Sequence, residues 1–441
     1  METKSYKNVI IGFGKAGRAL AKSLSQHGEE ALIIERDEAM YGGTCPNVGC
    51  APSKTLIVAG HKNLSFTDAM KTKYKVREML HNGAYHGAAD EPLVSVLNGL
   101  AHFVDAHTVE VAGTDGNVTR VDGERIFINT GATPVIPEID GIYNSKNVIT
   151  SEGAMELAEL PERLVIIGAG YIGLEFAGMF RTFGSKITIL EPHETFLPRE
   201  DDDVSAAIFK DLVEAGVDIH LGAKIEHIDD NFVQANGEKI PADKILIATG
   251  RKPNIDELEL QNAGVELATT GYIKVDDDLK TTAENIWALG DVRGGGQFYY
   301  LSTDDFRIVN NQLFGDKSRK LSDRTIVPHS VFITPTLSRV GLDEKEAQAK
   351  GISYRLFKMA AAPIVKTKVV QDMRGMLKAL VDPETDEILG ATLYHEDSHE
   401  VINLVSLAMK MHTPYQILRD QIFTHPTMGE GLNDLFQNEV K

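Results

Sequence analysis

The chain has 441 residues, a length that predicts two to four domains rather than one. Its 64 acidic and 45 basic residues give a formal net charge of −19, which argues against nucleic acid or an anionic membrane surface as a partner. No apolar run approaches the roughly 20 residues of a membrane span, and the first residues show no signal-peptide pattern. We therefore expect a cytoplasmic protein.

A nucleotide-binding unit is predicted at the start of the chain. An apolar run precedes the glycine motif Gly12-Phe13-Gly14-Lys15-Ala16-Gly17 and a helix-forming stretch, and a second apolar run ends at Glu35. In such a βαβ unit the glycines permit a tight turn, close approach of a pyrophosphate and packing of helix on strand. The helix N-terminus offers N–H groups to phosphates, and the carboxylate accepts hydrogen bonds from ribose hydroxyls. We predict that a dinucleotide binds at Gly12, Gly14, Gly17 and Glu35.

The two cysteines of the chain, Cys45 and Cys50, follow in the segment GGTCPNVGCAPSK. A secreted disulfide scaffold would contain more cysteines, widely spaced. A metal site would need further ligands, and none of His, Asp or Glu lies between Thr44 and Ser53. A helix beginning near Cys45 would bring the thiols within bonding range and would favour reactive thiolate. We predict a redox-active pair without a metal, with Lys54 placing a positive charge near a reduced ring; a structural disulfide and idle thiols are the alternatives.

The middle of the chain repeats the first unit. Residues 56–97 have a mainly helical pattern, and two buried-type strands end in Thr-Gly, at Thr130-Gly131 and at Thr249-Gly250. Between them an apolar run leads into Gly168-Ala169-Gly170-Tyr171-Ile172-Gly173, and the next apolar run ends at Glu191. Two glycine motifs, each with a strand before, a helix after and a Glu about 20 residues on, predict two dinucleotide-binding units.

Two later features complete the pattern. An apolar strand ends at Gly290-Asp291, where a carboxylate can hold a sugar or ribityl hydroxyl. From about residue 327 the pattern becomes α+β without a nucleotide motif, and His425 is followed five residues later by Glu430. A turn at Pro426 would fold that carboxylate onto the imidazole, an arrangement suited to moving protons near neutral pH. An ordinary surface or core histidine is the alternative.

Together these motifs resemble those of the pyridine-nucleotide-disulfide oxidoreductases, the family of dihydrolipoyl dehydrogenase, glutathione reductase and mercuric reductase. GGTCPNVGCAPSK is similar to the family's active-disulfide motif and HPTMGE to its C-terminal His-Glu motif, and the resemblance runs essentially end to end. It implies an α/β fold with two Rossmann-like nucleotide-binding domains, for FAD and NAD(P), and a C-terminal α+β dimerisation domain. The implied domains are residues 1–147 and 271–326 for FAD, 148–270 for NAD(P) and 327–441 for dimerisation.

The resemblance also implies how the cofactors bind. Glu35 would hold the adenosine ribose of FAD, and Asp291 its ribityl chain. The FAD-binding candidates are Gly12, Gly14, Gly17, Glu35, Gly43, Thr44, Lys54, Thr130, Gly131, Gly290 and Asp291. The NAD(P)-binding candidates are Gly168, Gly170, Tyr171, Ile172, Gly173, Glu191 and Gly250. Glu191 favours a free 2′-hydroxyl and no Arg stands immediately after it, so we predict NADH over NADPH.

The resemblance further implies the catalytic roles. Cys50 would face the flavin and Cys45 would attack the substrate. Lys54 and Glu175 would form an ion pair near flavin N5. His425, held by Glu430, would act as the acid/base for the disulfide of the other subunit of a homodimer.

The substrate is predicted from differences within the family. Mercuric reductases add a cysteine pair near the C-terminus, and this chain has none. Dihydrolipoyl dehydrogenases usually follow the Gly-Asp strand with a helix rich in Ala and Gly, whereas residues 294–307 read GGGQFYYLSTDDFR. IGFGKAG, AMYGGTC and QILRDQIFTHP are similar to the bacterial reactive-chlorine-resistance flavoproteins, which are linked to reduction of hypothiocyanous acid and of copper(II). We predict a reductase of a small oxidant, with hypothiocyanous acid favoured; a dihydrolipoyl dehydrogenase-like thiol-disulfide reductase, a copper(II) reductase and a non-enzymatic redox sensor are alternatives.

Overall fold

The computed structural model describes residues 2–440. The strands in the first third are β1 (Glu2–Ile11), β2 (Ala31–Glu35), β3 (Val94–Asn98), β4 (Leu100–Phe103), β5 (Thr108–Ala112), β6 (Val118–Ile128) and β7 (Ala132–Pro134). The central strands are β8 (Val148–Ile149), β9 (Arg163–Ile167), β10 (Lys186–Glu191), β11 (Asp218–Leu221), β12 (Ile225–Ile228), β13 (Phe232–Ala235), β14 (Glu238–Pro241) and β15 (Lys244–Ile247). The remaining strands are β16 (Arg251–Pro253), β17 (Ile286–Ala288), β18 (His329–Val331), β19 (Leu337–Gly341), β20 (Arg355–Ala360), β21 (Met376–Val381) and β22 (Ile388–Tyr394).

Helices connect these strands. In the first two thirds they are α1 (Lys15–Gln26), α2 (Thr44–Val48), α3 (Cys50–His61), α4 (Phe66–Ala89), α5 (Ser151–Ala154), α6 (Tyr171–Phe183) and α7 (Asp202–Glu214). The later helices are α8 (Tyr299–Phe314), α9 (Glu344–Ala349), α10 (Val365–Val370), α11 (Ser398–Lys410), α12 (Gln416–Asp420) and α13 (Gly431–Leu435). Short 3-10 turns occur at Glu38–Met40, Leu260–Ala263, Gly290–Arg293 and Leu321–Asp323. Of the helices within residues 2–440, none is long and apolar enough to cross a membrane.

The chain folds into two compact units. The first comprises the residues up to Pro137 together with Thr150–Glu159 and Thr249–Asp323. Its sheet has the strand order β3-β2-β1-β6-β5-β4, and β17 also pairs with β6. Strands β1 and β2 are parallel, and α1 makes the crossover that parallel strands require. Alternate residues of β1 enter opposite cores, with Val9 and Ile11 on one face and Ile10 on the other, so both faces are buried.

The second unit comprises Glu138–Ile149, Leu160–Ala248 and the residues from Arg324 onward. A five-stranded sheet in the order β11-β10-β9-β15-β8 is parallel throughout, and β12, β13 and β14 form an antiparallel sheet. An antiparallel sheet in the order β18-β19-β22-β21-β20 packs with α11 and α13 around a separate hydrophobic core. Two Rossmann-like sheets and a C-terminal α+β region confirm the predicted fold class.

The helical prediction for residues 56–97 is wrong at its end. Helices α3 and α4 account for most of the segment, but Val94–Asn98 forms β3. Val94 to Asn98 pair in parallel with Ala31 to Glu35 of β2, so the neighbouring strand, which lies far away in the sequence, determines the extended conformation. Local sequence pattern cannot report such a partner.

Candidate active site

The first glycine turn and Glu35 are joined by backbone hydrogen bonds. The Phe13 N–H donates to Glu35 Oε2 (2.8 Å), and the Asp37 N–H donates to Glu35 Oε1 (3.1 Å). Burial raises the pKa of Glu35, and these two hydrogen bonds oppose the rise. Helix α1 begins after Gly14, which has no side chain to cap it, and within its first turn the Gly17 N–H donates to Asn129 Oδ1. An anionic group fits at this helix N-terminus.

Asn129 holds the glycine turn, although sequence reasoning did not identify it. Its Oδ1 accepts a hydrogen bond from the Gly17 N–H (2.9 Å), and its Nδ2 donates to the Leu289 carbonyl (2.8 Å). A methyl group at Gly14 would lie 2.7 Å from Asn129 Oδ1. The amide therefore links the turn after β1 to the strand that ends at Gly290. The available signal was its position, directly before Thr130-Gly131 at the end of a buried strand.

The strand end that carries Asp291 is fixed by a second residue that sequence reasoning missed. Asp305 on α8 is fully buried and accepts hydrogen bonds from the Gly290 N–H (2.7 Å) and from Arg293 Nε (2.8 Å) and Nη2 (2.9 Å). The Arg293 side chain is itself only 8% exposed, so the two residues form a buried, bidentate ion pair. Burial raises the pKa of Asp291, with Arg251 opposing the rise.

The redox segment, residues 42–54 with both cysteines, packs against the first glycine turn. A methyl group at Gly43, whose φ is +78°, would lie 3.0 Å from the Gly14 Cα. A helix begins beside Cys45, but it is short: α2 ends at Val48, and a second helix, α3, begins at Cys50. Gly49 separates the two helices, and a methyl group there would lie 2.9 Å from the Thr44 carbonyl oxygen and 3.2 Å from the Cys45 Cα. The close packing of this bend leaves no room for a side chain at position 49.

Asn47, which is fully buried, ties the redox segment together from within. Its Nδ2 donates to the carbonyls of Tyr41 (2.9 Å) and Gly43 (2.8 Å). Its Oδ1 lies 3.1 Å from His81 Nδ1 on α4. Burial lowers the pKa of His81, and the nearby Arg77 lowers it further, so the ring stays neutral and donates to Asn47. Neither residue was predicted; a buried amide between two cysteines carries no signal of its own in the sequence.

The thiols of Cys45 and Cys50 are in contact. Their hydrogen bond, followed by burial, raises the pKa of Cys45, while Lys54 acts in the opposite direction. Cys45 is half-buried and Cys50 is exposed. Two thiols in hydrogen-bond contact can interconvert between a dithiol and a disulfide.

The second glycine turn reproduces the first. The Ala169 N–H donates to Glu191 Oε2 (2.7 Å), and the His193 N–H donates to Glu191 Oε1 (2.9 Å). Burial opposes ionisation of Glu191, but these bonds and the His193 side chain outweigh it and lower the pKa. Tyr171 and Ile172 are the first two residues of α6. The Tyr171 hydroxyl donates to Glu200, and burial followed by that carboxylate raises the pKa of Tyr171.

Several predicted cofactor positions border space that the protein does not fill. A methyl group at Gly131, Gly170 or Gly250 would meet nothing within 4 Å. The Thr130 hydroxyl oxygen is buried and, among residues 2–440, has no hydrogen-bond partner. By contrast, a methyl group at Gly12, Gly17 or Gly173 would collide with backbone. Some of these glycines therefore serve packing, whereas the open ones leave room for a dinucleotide backbone.

His425 and Glu430 meet as predicted in the second unit. His425 Nδ1 lies 2.8 Å from Glu430 Oε2, and the Thr427 N–H donates to Glu430 Oε1 (3.3 Å). The Glu430 side chain is 20% exposed and the His425 side chain 62% exposed, so the imidazole is held from one side and open on the other. In the same unit, Glu175 Oε1 accepts a hydrogen bond from the Phe332 N–H (2.9 Å).

The predicted residues thus fall into two groups. The first unit carries the FAD-binding candidates and also contains Cys45, Cys50 and Lys54. The second unit contains Glu175, His425, Glu430 and the NAD(P)-binding candidates up to Glu191; Gly250 belongs to the first. The predicted pairing of Lys54 with Glu175 and that of His425 with the thiols join residues of different units and stay predictions.

Two dinucleotide turns, a thiol pair beside the first of them and a carboxylate-held histidine define an oxidoreductase of the flavoprotein disulfide reductase type. Residues 6–305 match the pyridine nucleotide-disulphide oxidoreductase family, and residues 327–436 match its dimerisation domain. The chain belongs to this family, which implies FAD and NAD(P)H as cofactors.

Two relatives and one solved structure are informative. The chain is 48% identical over 435 residues to a probable pyridine nucleotide-disulfide oxidoreductase, RclA, of Escherichia coli (strain K12), with 98% of both proteins covered. It is 34% identical to mercuric reductase of Lysinibacillus sphaericus, covering 97% of this chain and 81% of the relative. The solved Cu(II) complex of HOCl-induced flavoprotein disulfide reductase RclA from Escherichia coli is similar with a TM-score of 0.95 and 47% identity, covering 98% of this chain and 99% of that chain.

Proposed function

We propose that this enzyme uses NADH and FAD to reduce hypothiocyanous acid at the Cys45–Cys50 pair. The hydrogen-bonded thiol pair carries the proposal, because it lies on a segment packed against the glycine turn of the first nucleotide-binding unit. The relative RclA is described as an HOCl-induced disulfide reductase. Hypothiocyanous acid belongs with HOCl to the small electrophilic oxidants that thiolates reduce. The proposed compartment is the cytoplasm, where a close cysteine pair can cycle between dithiol and disulfide.

The two thiols supply both electrons for the reduction. His425 takes the proton of Cys45, the Cys45 thiolate attacks the sulfur of hypothiocyanous acid, and the departing hydroxide receives that proton as water. The Cys50 thiolate then attacks the Cys45 sulfur of the mixed S–SCN species and thiocyanate leaves. Two electrons pass from the dithiol to the oxidant, and the pair ends as a disulfide. Glu430 keeps the imidazole oriented throughout.

FAD, when bound, relays an electron pair from the nicotinamide to the disulfide. The residues present fit it, since the buried Thr130 hydroxyl has no hydrogen-bond partner within residues 2–440 and a methyl group at Gly131 would meet nothing within 4 Å. The proposed FAD-binding residues are those predicted above, with Glu35 on the adenosine ribose and Asp291 on the ribityl chain. Lys54 and Glu175 are proposed as the ion pair near flavin N5. The domain boundaries predicted above belong to the same proposal.

NADH is the proposed electron donor. The Glu191 carboxylate is 11% exposed and carries negative charge at the end of β10. Such a carboxylate accepts hydrogen bonds from a free 2′-hydroxyl and repels a 2′-phosphate. We expect kcat/KM to be higher for NADH than for NADPH at neutral pH. A preference for NADPH would overturn this assignment.

A homodimer with His425 acting on the partner's thiols is the proposed assembly. The region that matches the dimerisation domain exposes several large apolar side chains: Leu404, Leu407, Met411, Ile417 and Ile422. Such a surface suits burial against a second copy. Mixing inactive Cys45→Ser and His425→Asn subunits tests the arrangement. Mixed dimers regain one intact site and partial activity if His425 acts across the interface, and stay inactive if it acts within its own chain.

The substrate test is turnover of NADH with hypothiocyanous acid by the holoenzyme. Wild type should exceed Cys45→Ser by several orders of magnitude, while Cys50→Ser should form the S–SCN adduct without multiple turnover. The flavin of both variants should still be reduced by NADH, which serves as the control for folding and cofactor binding. Equal turnover by wild type and Cys45→Ser would refute the proposal. Faster turnover with dihydrolipoamide and NAD⁺ would favour a dihydrolipoyl dehydrogenase-like activity.

Copper(II) reduction is a second candidate, because the relative RclA has been solved as a Cu(II) complex. The same dithiol could donate to copper, or the reduced flavin could do so directly. Copper-dependent NADH oxidation by a Cys45→Ser, Cys50→Ser double variant separates these routes. Loss of the activity assigns it to the thiols, and retention assigns it to the flavin.

A further inference from the structure

His193 contacts Glu191, the carboxylate proposed to select NADH. His193 Nδ1 is 2.6 Å from Glu191 Oε1, and the His193 backbone N–H donates to the same oxygen. The Glu191 side chain is 11% exposed, whereas that of His193 is 79% exposed. The carboxylate is therefore held in place inside the site while the imidazole is open to solvent.

Other charged side chains around this pair lie on its own segment and on the adjoining strand. Within residues 2–440, Glu191 is the only acidic group at ion-pair distance from the His193 ring. On its own segment the next charged side chain is Glu194. The adjoining strand β11 and the residues after it bring Asp218, His220 and Lys224, of which His220 is paired with Asp218 at 2.8 Å. The second glycine turn, residues 168–173, carries no charged side chain.

We propose that His193 makes the choice between NADH and NADPH depend on pH. Neutral His193 leaves the full negative charge of Glu191 to repel a 2′-phosphate, whereas protonated His193 offsets that charge and admits NADPH. This inference rests on the proposed preference for NADH. It adds a regulatory role for a residue outside the glycine motif, since a fall in pH would widen the supply of electrons to the enzyme.

The direction and size follow from elementary electrostatics. Histidine side chains change charge near neutral pH, so the positive charge appears as the pH falls. Removing one net negative charge about 3 Å from a phosphate changes its binding about tenfold at the dielectric of water, which suits an imidazole that is 79% exposed. The effect should shrink at high salt, because the pair lies at the surface. NADH has no 2′-phosphate and should respond much less, so the selectivity ratio is the quantity to measure.

The test measures flavin reduction of the holoenzyme by NADH and by NADPH in a rapid-mixing instrument between about pH 5.5 and 8.5. No oxidant is present, so the result does not depend on the identity of the substrate. His193→Gln removes the titrating group and keeps a polar side chain. His220→Gln is the matched control, since it removes another acid-paired histidine from the neighbouring strand. The 2′-phosphate itself takes up a proton near pH 6, and His193→Gln measures that contribution separately.

The NADH-to-NADPH ratio of rate over dissociation constant should fall about tenfold from pH 8.5 to 5.5 in wild type and in His220→Gln. In His193→Gln it should keep most of its high-pH value, and in His193→Lys it should be low at every pH. A wild-type ratio that does not change with pH, or an equal change in His193→Gln, overturns the inference. A wild-type ratio below one at pH 8.5 instead overturns the proposed NADH preference, and the slope with pH is judged separately.

Discussion

Replacing Asp305 tests whether the strand end at Gly290-Asp291 is held by a buried ion pair. Asp305→Asn removes the charge that balances Arg293. The Arg293 side chain is 8% exposed and donates two hydrogen bonds to this one carboxylate. Breaking a buried ion pair by removing one partner costs about 3–5 kcal/mol, because the remaining charge stays desolvated. For a unit of this size that corresponds to a fall in melting temperature of roughly 6–20 °C.

The assay follows from where Asp305 acts. Its oxygens hold the Gly290 N–H, so loss of the charge should also loosen the proposed ribityl contact of Asp291 and lower the fraction of FAD retained after dialysis. The control is Asp304→Asn, the same substitution one residue earlier, whose partner Arg319 is 43% exposed. A half-exposed pair contributes about 1 kcal/mol or less. Equal loss of stability and FAD in the two variants would refute the reasoning.

Three further variants test the reasoning. Lys378→Met removes the cation, 3% exposed, that Asp201, Asp203 and Glu344 share, although Asp203 keeps its ion pair with Lys358; the free energy of unfolding in urea should fall by about 3–5 kcal/mol. Burial opposes ionisation of Asp203, but hydrogen bonds from Lys358 and Lys378 outweigh it and lower the pKa of Asp203. The stability that this carboxylate contributes is therefore complete above the pKa of an unfolded Asp, about 4, and is lost as the pH falls towards the lower pKa of the folded state. The acid limb of a profile of stability against pH should flatten in Lys378→Met. Asn47→Ala should weaken the long-wavelength thiolate–flavin absorbance of the reduced enzyme while NADH still reduces the flavin, and unchanged absorbance would show that the amide does not position the thiols. His425→Asn should lower turnover about 10²-fold or more with flavin reduction unchanged, and normal turnover would remove it from the mechanism.

The residues that carry the chemistry of the site could be predicted from the sequence. The two glycine motifs, their terminal carboxylates Glu35 and Glu191, the cysteine pair and the contact of His425 with Glu430 all lie within short stretches of chain. Backbone geometry over a few residues determines these features, and the chemistry of each needs a particular residue type at a particular spacing. The division into two Rossmann-like units followed from the same repeats.

The supporting residues became visible only in the folded protein. Asn129 reaches Gly17 across 112 positions, and His81 reaches Asn47 across 34. A single buried amide or imidazole has no periodicity or spacing to mark it, and its role depends on which distant backbone group it meets. The break at Gly49 likewise depends on contact with Thr44 and Cys45 once the bend has formed. The sequence by itself thus determined which groups carry the chemistry, because they are encoded locally. The tertiary structure decided what holds them in place, because buried hydrogen bonds are satisfied by whichever segments the fold brings together.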